Sequence, residues 1–460
     1  MTNINSDKNP KVLPLTPYMA YDESVSNYTT TFGHLSPYRY TNFQRESLSW
    51  KNSCYIHGGL NPSMAYLLKG KGALNLLKDN CVNTFEVFEI GSTRHAIMCN
   101  SQGNIMADGL VLHIAENEFM TYFLSPYIDY LVSSSKHEVS GKDVSPETFL
   151  FQIGGPKSLE VVEEVLEKSI HDLEFFKHRP VSIPGIGSAK EKDFRVLRAG
   201  VAGTLAYEIH GNIRYAKELY GLILEKGKPF EIEPIGMEVY GMNHTENGFY
   251  QSFLHFSLAY LQDNDFMKFL GKDKELLLGY ISGSAGPERD KRYCNPVEAG
   301  WADRIVFDHD FVGREVIEKA FQSPKRKIVT LEWDKEDILD IYSSFFESDE
   351  PYLYMNLPAN DIWTANNSEV VSDDVYVGDS LIGISSGRIY SYYSRKMVSL
   401  CLIEVQHSMP GQIVEVLWGD PGSRQKRIKA IVAKFPHLDL PRNKDFDLSS
   451  IPDKYGYSTL

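Results

Sequence analysis

Two stretches of the sequence bring together side chains that could bind a phosphate group or a metal ion. The stretch Gly185-Ile-Gly187-Ser-Ala-Lys190 combines glycines with a lysine, but it lacks the full glycine spacing of a phosphate-binding loop. Asp308-His309-Asp310 offers carboxylate and imidazole ligands, yet no second cluster of ligand residues stands near it. The sequence therefore predicts a turn at the first stretch, a loop before a helix at the second, and no metal site.

Covalent catalysis by a serine or a cysteine is not indicated either. The sequence has no G-x-S-x-G motif and no cysteine–histidine signature. Its five cysteines form no C-x-x-C pair, and their odd number disfavours a disulfide framework. We expect buried, reduced cysteines in a cytoplasmic protein, because the first residues show no secretory signal pattern. The cysteines are Cys54, Cys81, Cys99, Cys294 and Cys401.

Composition restricts the class of protein. Of the 460 residues, 42% are hydrophobic and 23% are charged, which is typical of a soluble globular chain of two or three domains. Lys and Arg number 47 against 61 Asp and Glu, so the net charge is -14. This balance argues against nucleic acid as the main partner, although it allows an anionic small molecule that needs one or two local cations. We also expect no membrane span, because no apolar stretch approaches the ~18 residues that one requires.

The helices and strands that must position a site are predicted to form an α+β fold. Apolar spacing predicts a helix that follows Gly72, and residues 101–103 form a turn between two strands. Residues 158–168 predict an amphipathic helix capped by Ser158. Residues 193–211 read as two strands around a glycine turn, and residues 214–230 as a helix with a glycine stop. These signals alternate without regular βαβ spacing, which favours α+β.

Strand patterns dominate the last third of the chain and indicate a separate antiparallel barrel or sandwich. We therefore predict an irregular N-terminal arm over 1–40, a core domain over 41–325, a C-terminal β-barrel domain over 326–445 and a tail over 446–460. The strand patterns cover 327–334, 369–387, 396–406, 412–420 and 427–435.

Four segments in a fixed order resemble one known family. They are 99–112 (CNSQGNIMADGLVL), 198–211 (RAGVAGTLAYEIHG), 295–317 (NPVEAGWADRIVFDHDFVGREVI) and 409–419 (MPGQIVEVLWG). Together they are similar to the aminomethyltransferase family of the glycine cleavage system, whose members use tetrahydrofolate. The resemblance implies a core of several lobes around a central opening that holds tetrahydrofolate, followed by a C-terminal β-barrel.

Three further segments, 40–50, 329–338 and 387–400, resemble the longer branch of this family. That branch contains folate-dependent O-demethylases of lignin-derived methoxybenzoates such as vanillate and syringate. The implied reaction transfers a methyl group from a small methoxylated acid, aromatic in the leading version, to N5 of tetrahydrofolate. The open alternatives are an S- or N-demethylase, acting on dimethylsulfoniopropionate or a methylated amine, and a folate-binding protein without turnover.

The resemblance implies two catalytic candidates. Tyr240 lies where the methoxybenzoate demethylases carry a tyrosine implicated as an acid/base near the methyl group. A phenol has a reference pKa of ~10 and can donate a proton at neutral pH. Asp108 matches the second of two aspartates in the glycine cleavage enzymes, the first being Ala107 here. The alternatives are a core tyrosine at position 240 and a backbone-orienting role for Asp108.

Four residues match folate-binding positions of the family. Glu246 could accept hydrogen bonds from the pterin, or could be a surface helix cap. Tyr207 and Glu208 match an aromatic–glutamate pair with a pterin or structural role. Thr204 stands where the family has a further glutamate, so one pterin contact is lost or replaced.

The predicted substrate wall departs most from the family. Where relatives have a D-x-S-H or D-Q-S-H stretch, this chain has His57-Gly58-Gly59-Leu60-Asn61. Glycines at 58 and 59 could leave space for a ligand or allow its close approach. His57 and Asn61 could supply polar contacts to the substrate, with a structural histidine as the alternative.

Overall fold

The computed structural model describes residues 13–188, 192–201, 203–273, 280–359 and 369–456, and it confirms the α+β class. Within these ranges the helices are α1 (Phe43–Asn52), α2 (Ala73–Asn80), α3 (Tyr127–Ser134), α4 (Ser158–Leu166), α5 (Ala216–Gly227), α6 (Met237–Asn247), α7 (Asn264–Leu270), α8 (Arg314–Gln322) and α9 (Lys335–Ser343).

The strands of the same ranges form a hairpin and three sheets. They are β1 (Asn27–Thr31), β2 (His34–Arg39), β3 (Cys54–His57), β4 (Tyr66–Lys69), β5 (Thr93–Cys99), β6 (Ile105–Ala115), β7 (Glu118–Tyr122), β8 (Ser140–Asp143), β9 (Thr148–Gly154), β10 (His178–Val181), β11 (Phe194–Leu197), β12 (Ala206–Asn212), β13 (Ile232–Pro234), β14 (Tyr280–Ser282), β15 (Arg326–Trp333), β16 (Glu369–Val377), β17 (Ser380–Ser391), β18 (Lys396–Glu404), β19 (Ile413–Trp418) and β20 (Lys426–Ala433).

The predicted N-terminal arm contains an antiparallel hairpin, β1–β2, so it is not wholly irregular. Its turn residues, Phe32 and Gly33, both have positive φ, 47° and 79°. Such a turn matches the right-handed twist of the two strands, which explains why they pair. Residues 1–12 of the arm, 189–191 of the glycine-rich stretch and 457–460 of the tail lie outside the described residues.

The six-stranded sheet, in the order β10-β11-β12-β9-β3-β13, has one apolar and one polar face. The apolar face packs against α4 and α5 through side chains such as Phe151, Val162 and Tyr207. Side chains alternate between the two faces of a strand, so the neighbours of these residues point the other way. That opposite face, called here the polar face, carries Tyr55, His57, Gln152, Glu208 and His210.

The five-stranded sheet, in the order β5-β6-β7-β4-β8, faces the polar face. The predicted turn at 101–103 joins β5 to β6, and the predicted helix after Gly72 begins at Ala73.

The helix over 158–166 also forms, but the serine cap is wrong. Lys157 occupies the cap position, and the Ser158 hydroxyl donates to the Leu205 carbonyl at 3.3 Å.

The predicted C-terminal barrel is confirmed. Its six antiparallel strands follow the order β16-β17-β18-β15-β20-β19, and pairing of β16 with β19 closes it. The short strand β14 adds to β16 in parallel. Closure removes the exposed sheet edges that would otherwise offer pairing sites. The domain boundaries at 325/326 and 445 stay predictions.

Helix α6 links the two halves of the molecule. It contacts α1 and β2 on one side and β17 and β18 of the barrel on the other. All of its residues are buried, including six polar ones: Glu238, Asn243, His244, Thr245, Glu246 and Asn247. Buried polar groups require partners, so a polar helix in this position indicates either internal pairing or a bound ligand.

Two further expectations can be compared with the structure. All five cysteines are buried and free of disulfides. Among the residues described, no helix combines the length and the apolar character needed to cross a membrane.

Candidate active site

The Tyr240 ring lies between two imidazole rings. The His57 ring stacks on it face to face, with centroids 3.9 Å apart and an angle of 5° between the planes. The His244 ring meets it edge-on at 4.9 Å and 79°. Tyr240 and His244 are four residues apart on α6 and therefore share a helix face, whereas His57 comes from the end of β3.

Hydrogen bonds define the tautomer of both histidines. Nδ1 of His57 lies 3.1 Å from the Ile235 carbonyl, and Nδ1 of His244 lies 3.1 Å from the carbonyl of Tyr240. A carbonyl can only accept, so each Nδ1 carries the hydrogen and each Nε2 presents a lone pair. Both Nε2 atoms are buried and lack a partner among the described residues.

Burial determines the charge state of the three rings. It lowers the pKa of His57 to about 4, against the raising effect of the Ile235 carbonyl. Burial likewise lowers the pKa of His244 to about 3. Burial also raises the pKa of Tyr240 well above 10, and Tyr55 and Glu208 raise it further. At neutral pH the site is therefore a protonated phenol between two uncharged imidazoles.

A hydrogen-bonded network covers the polar face beside Tyr240. The Tyr55 hydroxyl donates to Oε1 of Gln152 at 2.5 Å, and Nε2 of Gln152 donates to Glu208 at 3.3 Å. His210 donates from Nε2 to the other Glu208 oxygen at 3.0 Å. A carboxylate only accepts, so Glu208 fixes which way the Gln152 amide points. Gln152 in turn contacts the Tyr240 side chain and lowers its pKa.

Sequence reasoning named His57, Glu208 and Tyr240 but missed Tyr55, Gln152, His210 and His244 as members of this arrangement. One signal could have revealed two of them. Polar or hydroxyl-bearing side chains stand at every second position of two otherwise apolar strands, Tyr55 with His57 and Glu208 with His210. That period of two places each pair on one sheet face.

Asp108 lies on β6, where Oδ2 is 3.4 Å from Nε2 of His95. Its other oxygen, Oδ1, is buried and has no partner in the described part of the chain. Ring contacts connect His95 to Phe249 at 6.0 Å and Phe249 to His244 at 5.8 Å. Asp108 thus belongs to the same buried region as Tyr240 without touching it, and its catalytic role stays a prediction.

Glu246 forms a fully buried ion pair with Lys51. Oε2 of Glu246 lies 2.5 Å from Nζ of Lys51, and both side chains are 1% exposed. The alternative of a surface helix cap is therefore wrong. Oε1 of Glu246 and Nε1 of the adjacent Trp50 have no partner within the described ranges. Nζ of Lys51 also lies 3.7 Å from the centre of the Trp50 ring.

Two predicted cofactor contacts lie apart from this arrangement. Tyr207 is on the apolar face of the six-stranded sheet, in the cluster with Phe151 and Val162, so it cannot share a ligand surface with Glu208. The reason is the alternation of side chains along β12. Thr204 is buried just before β12, a strand that carries none of the three rings.

The predicted space at the substrate wall is filled. A Cβ atom added at Gly59 would lie 2.3 Å from Sδ of Met237, and one added at Gly58 would lie 2.8 Å from Sδ of Met19. The two glycines therefore allow protein side chains, rather than a ligand, to approach the backbone. Asn61 uses its amide group to join the turn after β3 to strand β9, through its contacts with Gly58 and Leu150.

The residues present fit a donor-rich heterocycle such as the pterin of tetrahydrofolate, which carries an amino group and ring N–H groups. Five of the buried acceptor atoms that lack partners among the described residues lie on α6, β3 and β6. They can receive N–H donors without any rearrangement of existing hydrogen bonds. They are Nε2 of His57, Nε2 of His244, Oδ1 of Asp108, Oε1 of Glu246 and Oδ1 of Asn243.

Potential metal ligands lie elsewhere. In the described chain one trio, Glu163, His171 and Asp453, comes within 4.8 Å and joins the C-terminal segment to α4 on the apolar face. Asp308 pairs with His309 at 2.6 Å in the loop before the helix that begins at Arg314, as the sequence predicted.

Loss of the Asn61 amide should destabilise the protein. Its Nδ2 donates to the carbonyls of Gly58 at 2.9 Å and Leu150 at 2.7 Å, and its Oδ1 accepts from the Leu150 amide at 2.9 Å. Asn61→Ala leaves buried backbone groups unpaired and should cost about 3 kcal/mol in the first urea unfolding transition. Asn52→Ala, at an exposed position, is the control. If the two variants were equally stable and Asn61→Ala bound ligand more weakly, Asn61 would be a substrate-binding residue instead of a structural one.

The buried imidazoles should make folding stability fall in acid. The folded pKa of His244 is depressed to about 3, so the unfolded chain binds the proton first as pH falls. The contribution of neutral His244 to the free energy of unfolding is complete above the unfolded pKa of ~6.5 and is progressively lost as the pH falls below it. His244→Gln should therefore lose about 2 kcal/mol less free energy of unfolding than the parent protein between about pH 7 and pH 5. Parallel pH dependences of the two proteins would contradict a buried neutral His244.

Comparison with protein families places most of this arrangement in one known domain. Residues 26–253 match the model of the GCVT N-terminal domain. This range includes α6 and both sheets that surround the polar face.

Two curated proteins are similar over most of the chain. A sesamin methylene transferase of Sinomonas sp. is 35% identical over 449 residues, which cover 95% of this chain and 98% of that protein. A syringate O-demethylase of Sphingobium sp. is 26% identical over 432 residues, which cover 88% of this chain and 90% of that protein.

A solved structure shares the fold. The glycine cleavage system aminomethyltransferase T of Bartonella henselae superposes with a TM-score of 0.67 at 14% identity. The superposition covers 93% of this chain and 98% of that one.

Proposed function

This chain belongs to the GCVT aminomethyltransferase family, in its longer branch, and from this premise we propose that it demethylates a small methoxylated aromatic compound with tetrahydrofolate as the methyl acceptor. The observation that carries the proposal is the protonated phenol of Tyr240 between two uncharged imidazoles. The methyl C–O bond of an ether breaks more readily when the departing oxygen gains a proton, and a phenol that keeps its proton at physiological pH can supply it.

Bound tetrahydrofolate supplies the N5 nitrogen that accepts the methyl group. In the balanced reaction a methyl C–O bond breaks, a C–N bond forms at N5, and N5 loses one proton while the phenolic oxygen gains one. Tyr240 Oη donates to the leaving oxygen. His57, stacked on the phenol at 3.9 Å, keeps water from its face. Gln152, oriented by Glu208, holds the phenol oxygen from the other direction, so that the hydroxyl hydrogen points to the substrate.

We propose that folate is held by two of the unpartnered acceptors described above. Oε1 of Glu246 and Oδ1 of Asp108 would accept hydrogen bonds from N–H groups of the cofactor, and the contact of Lys51 with Oε2 holds the Glu246 carboxyl group in place. In this assignment Asp108 orients the cofactor, and Tyr207 only packs on the apolar face of the six-stranded sheet.

A second candidate is methylene transfer, which the similarity to the sesamin methylene transferase favours. A methylenedioxy group would lose both C–O bonds and leave a catechol, while two C–N bonds form at N5 and N10; these nitrogens lose one proton each and the two oxygens gain one each. Mass spectrometry distinguishes the two candidate reactions. A methoxyl donor gives 5-methyltetrahydrofolate and a product with one new phenolic hydroxyl, whereas a methylenedioxy donor gives 5,10-methylenetetrahydrofolate and a catechol with two.

Tyr240→Phe tests the proton donor. This change removes only the hydroxyl, so it should lower the rate of ether cleavage about 100-fold to 10,000-fold and leave tetrahydrofolate binding unchanged. The measurement is anaerobic formation of 5-methyltetrahydrofolate in single turnover.

The matched control is Tyr220→Phe. Tyr220 is also buried, but its hydroxyl pairs with the Tyr40 hydroxyl at 2.9 Å in the cluster on the apolar face of the six-stranded sheet. The rate of Tyr220→Phe should therefore stay near that of the parent protein. A small effect of Tyr240→Phe would refute proton donation to an ether and favour a sulfonium or ammonium donor, whose leaving group needs no acid. Absence of product from every ether would reject the demethylase itself.

A further inference from the structure

The charges around Tyr240 restrict which aromatic ethers can enter the site. Lys51 is engaged by Glu246 at 2.5 Å, and Arg195 lies against His178 at 2.6 Å. Arg195 is on β11, three strands from His57 on β3, a separation of about 14 Å between backbones. No lysine or arginine of the described residues affects the pKa of Tyr240, His57 or His244.

A substrate carboxylate beside the three rings would therefore lack a counter-ion among the described residues. Burying a carboxylate is favourable only when cations or several N–H donors replace its water shell. The ring atoms of the two histidines that have no partner within the described residues are nitrogens with a lone pair, because each Nδ1 hydrogen is already used by a carbonyl. Glu208 adds negative character, since it raises the pKa of Tyr240. Beside the two imidazole rings an acid would meet lone pairs and the negative charge of Glu208, both of which repel a carboxylate.

Either of these lone pairs can accept the hydrogen bond of a hydroxyl group, which donates to one of them. Nε2 of His57 and Nε2 of His244 are buried, unpartnered within the described ranges, and lie on two sides of the Tyr240 ring. A buried acceptor without a partner costs free energy, and a ligand hydroxyl that donates to it recovers that cost. The hydroxyl must stand close to the ether oxygen that accepts from Tyr240, as it does when both are on adjacent ring carbons.

We propose that His57 and His244 are specificity-determining residues, which select an uncharged aryl ether with a phenolic hydroxyl beside the ether and exclude carboxylated analogues. This inference rests on the proposed function and narrows its substrate. It departs from the sequence-based expectation of a methoxylated acid. A pterin N–H group is the other possible donor to these lone pairs, so the test must distinguish substrate from cofactor.

Three ligands of matched shape provide the test. They are 2-methoxy-4-methylphenol, its hydroxyl-masked analogue 1,2-dimethoxy-4-methylbenzene, and the acid 4-hydroxy-3-methoxybenzoate, in which a carboxylate replaces the ring methyl. Binding to the full-length protein saturated with tetrahydrofolate is measured by anaerobic calorimetry. The phenol should bind about 10-fold to 100-fold more tightly than each of the other two. Equal affinities, or tightest binding of the acid, would overturn the proposal.

His57→Phe identifies which molecule uses the lone pair. Phenylalanine keeps a ring stacked on Tyr240 and removes Nε2, so the preference for the phenol over its masked analogue should fall about 10-fold while tetrahydrofolate affinity stays unchanged. An unchanged preference with weaker tetrahydrofolate binding would assign the lone pair to the pterin and refute the proposal. If this variant fails to fold, the three affinities of the parent protein still decide.

Turnover is scored separately. If no ether gives 5-methyl- or 5,10-methylenetetrahydrofolate, the proposed function is refuted. The proposed substrate selection is decided by the binding ratios alone. The two failures are therefore distinguishable.

Discussion

The exclusion of charge and water from the rings around Tyr240 is the constraint on which the rest of the site depends. Burial keeps the Tyr240 phenol protonated and the imidazoles of His57 and His244 neutral. It also leaves an unpaired acceptor on each histidine, at a cost of about 1–3 kcal/mol per atom. A ligand that donates hydrogen bonds to these atoms would recover that cost, so the burial that sets the charge state of the rings also favours ligand binding.

The architecture supplies this constraint through one helix and one sheet. Helix α6 is buried on all sides because the barrel covers one flank and the hairpin β1–β2 and α1 cover the other. The six-stranded sheet contributes its polar face, where Glu208 orients Gln152 and Gln152 reaches Tyr240. The C-terminal barrel is thus part of the site's enclosure, since strands β17 and β18 pack on the same helix that carries Tyr240.

Much of the fold, but less of the site, could be predicted from the sequence. Strand spacing after residue 326 predicted the barrel, and the resemblance of four segments predicted the family. The network of Tyr55, Gln152 and Glu208 joins residues far apart in the chain, and no local pattern shows which of them meet. Gly59 was misinterpreted because the space beside a glycine depends on a distant residue, here Met237.

The pH dependence of the single-turnover rate of ether cleavage tests the central claim most directly. With Tyr240 protonated and both histidines uncharged, the rate constant should stay level from about pH 6 to about pH 9.5. A loss of rate with a midpoint near ~6.5, the value of a water-exposed histidine, would contradict the buried neutral imidazoles. A loss centred between about pH 8 and pH 9 would contradict the buried, protonated phenol.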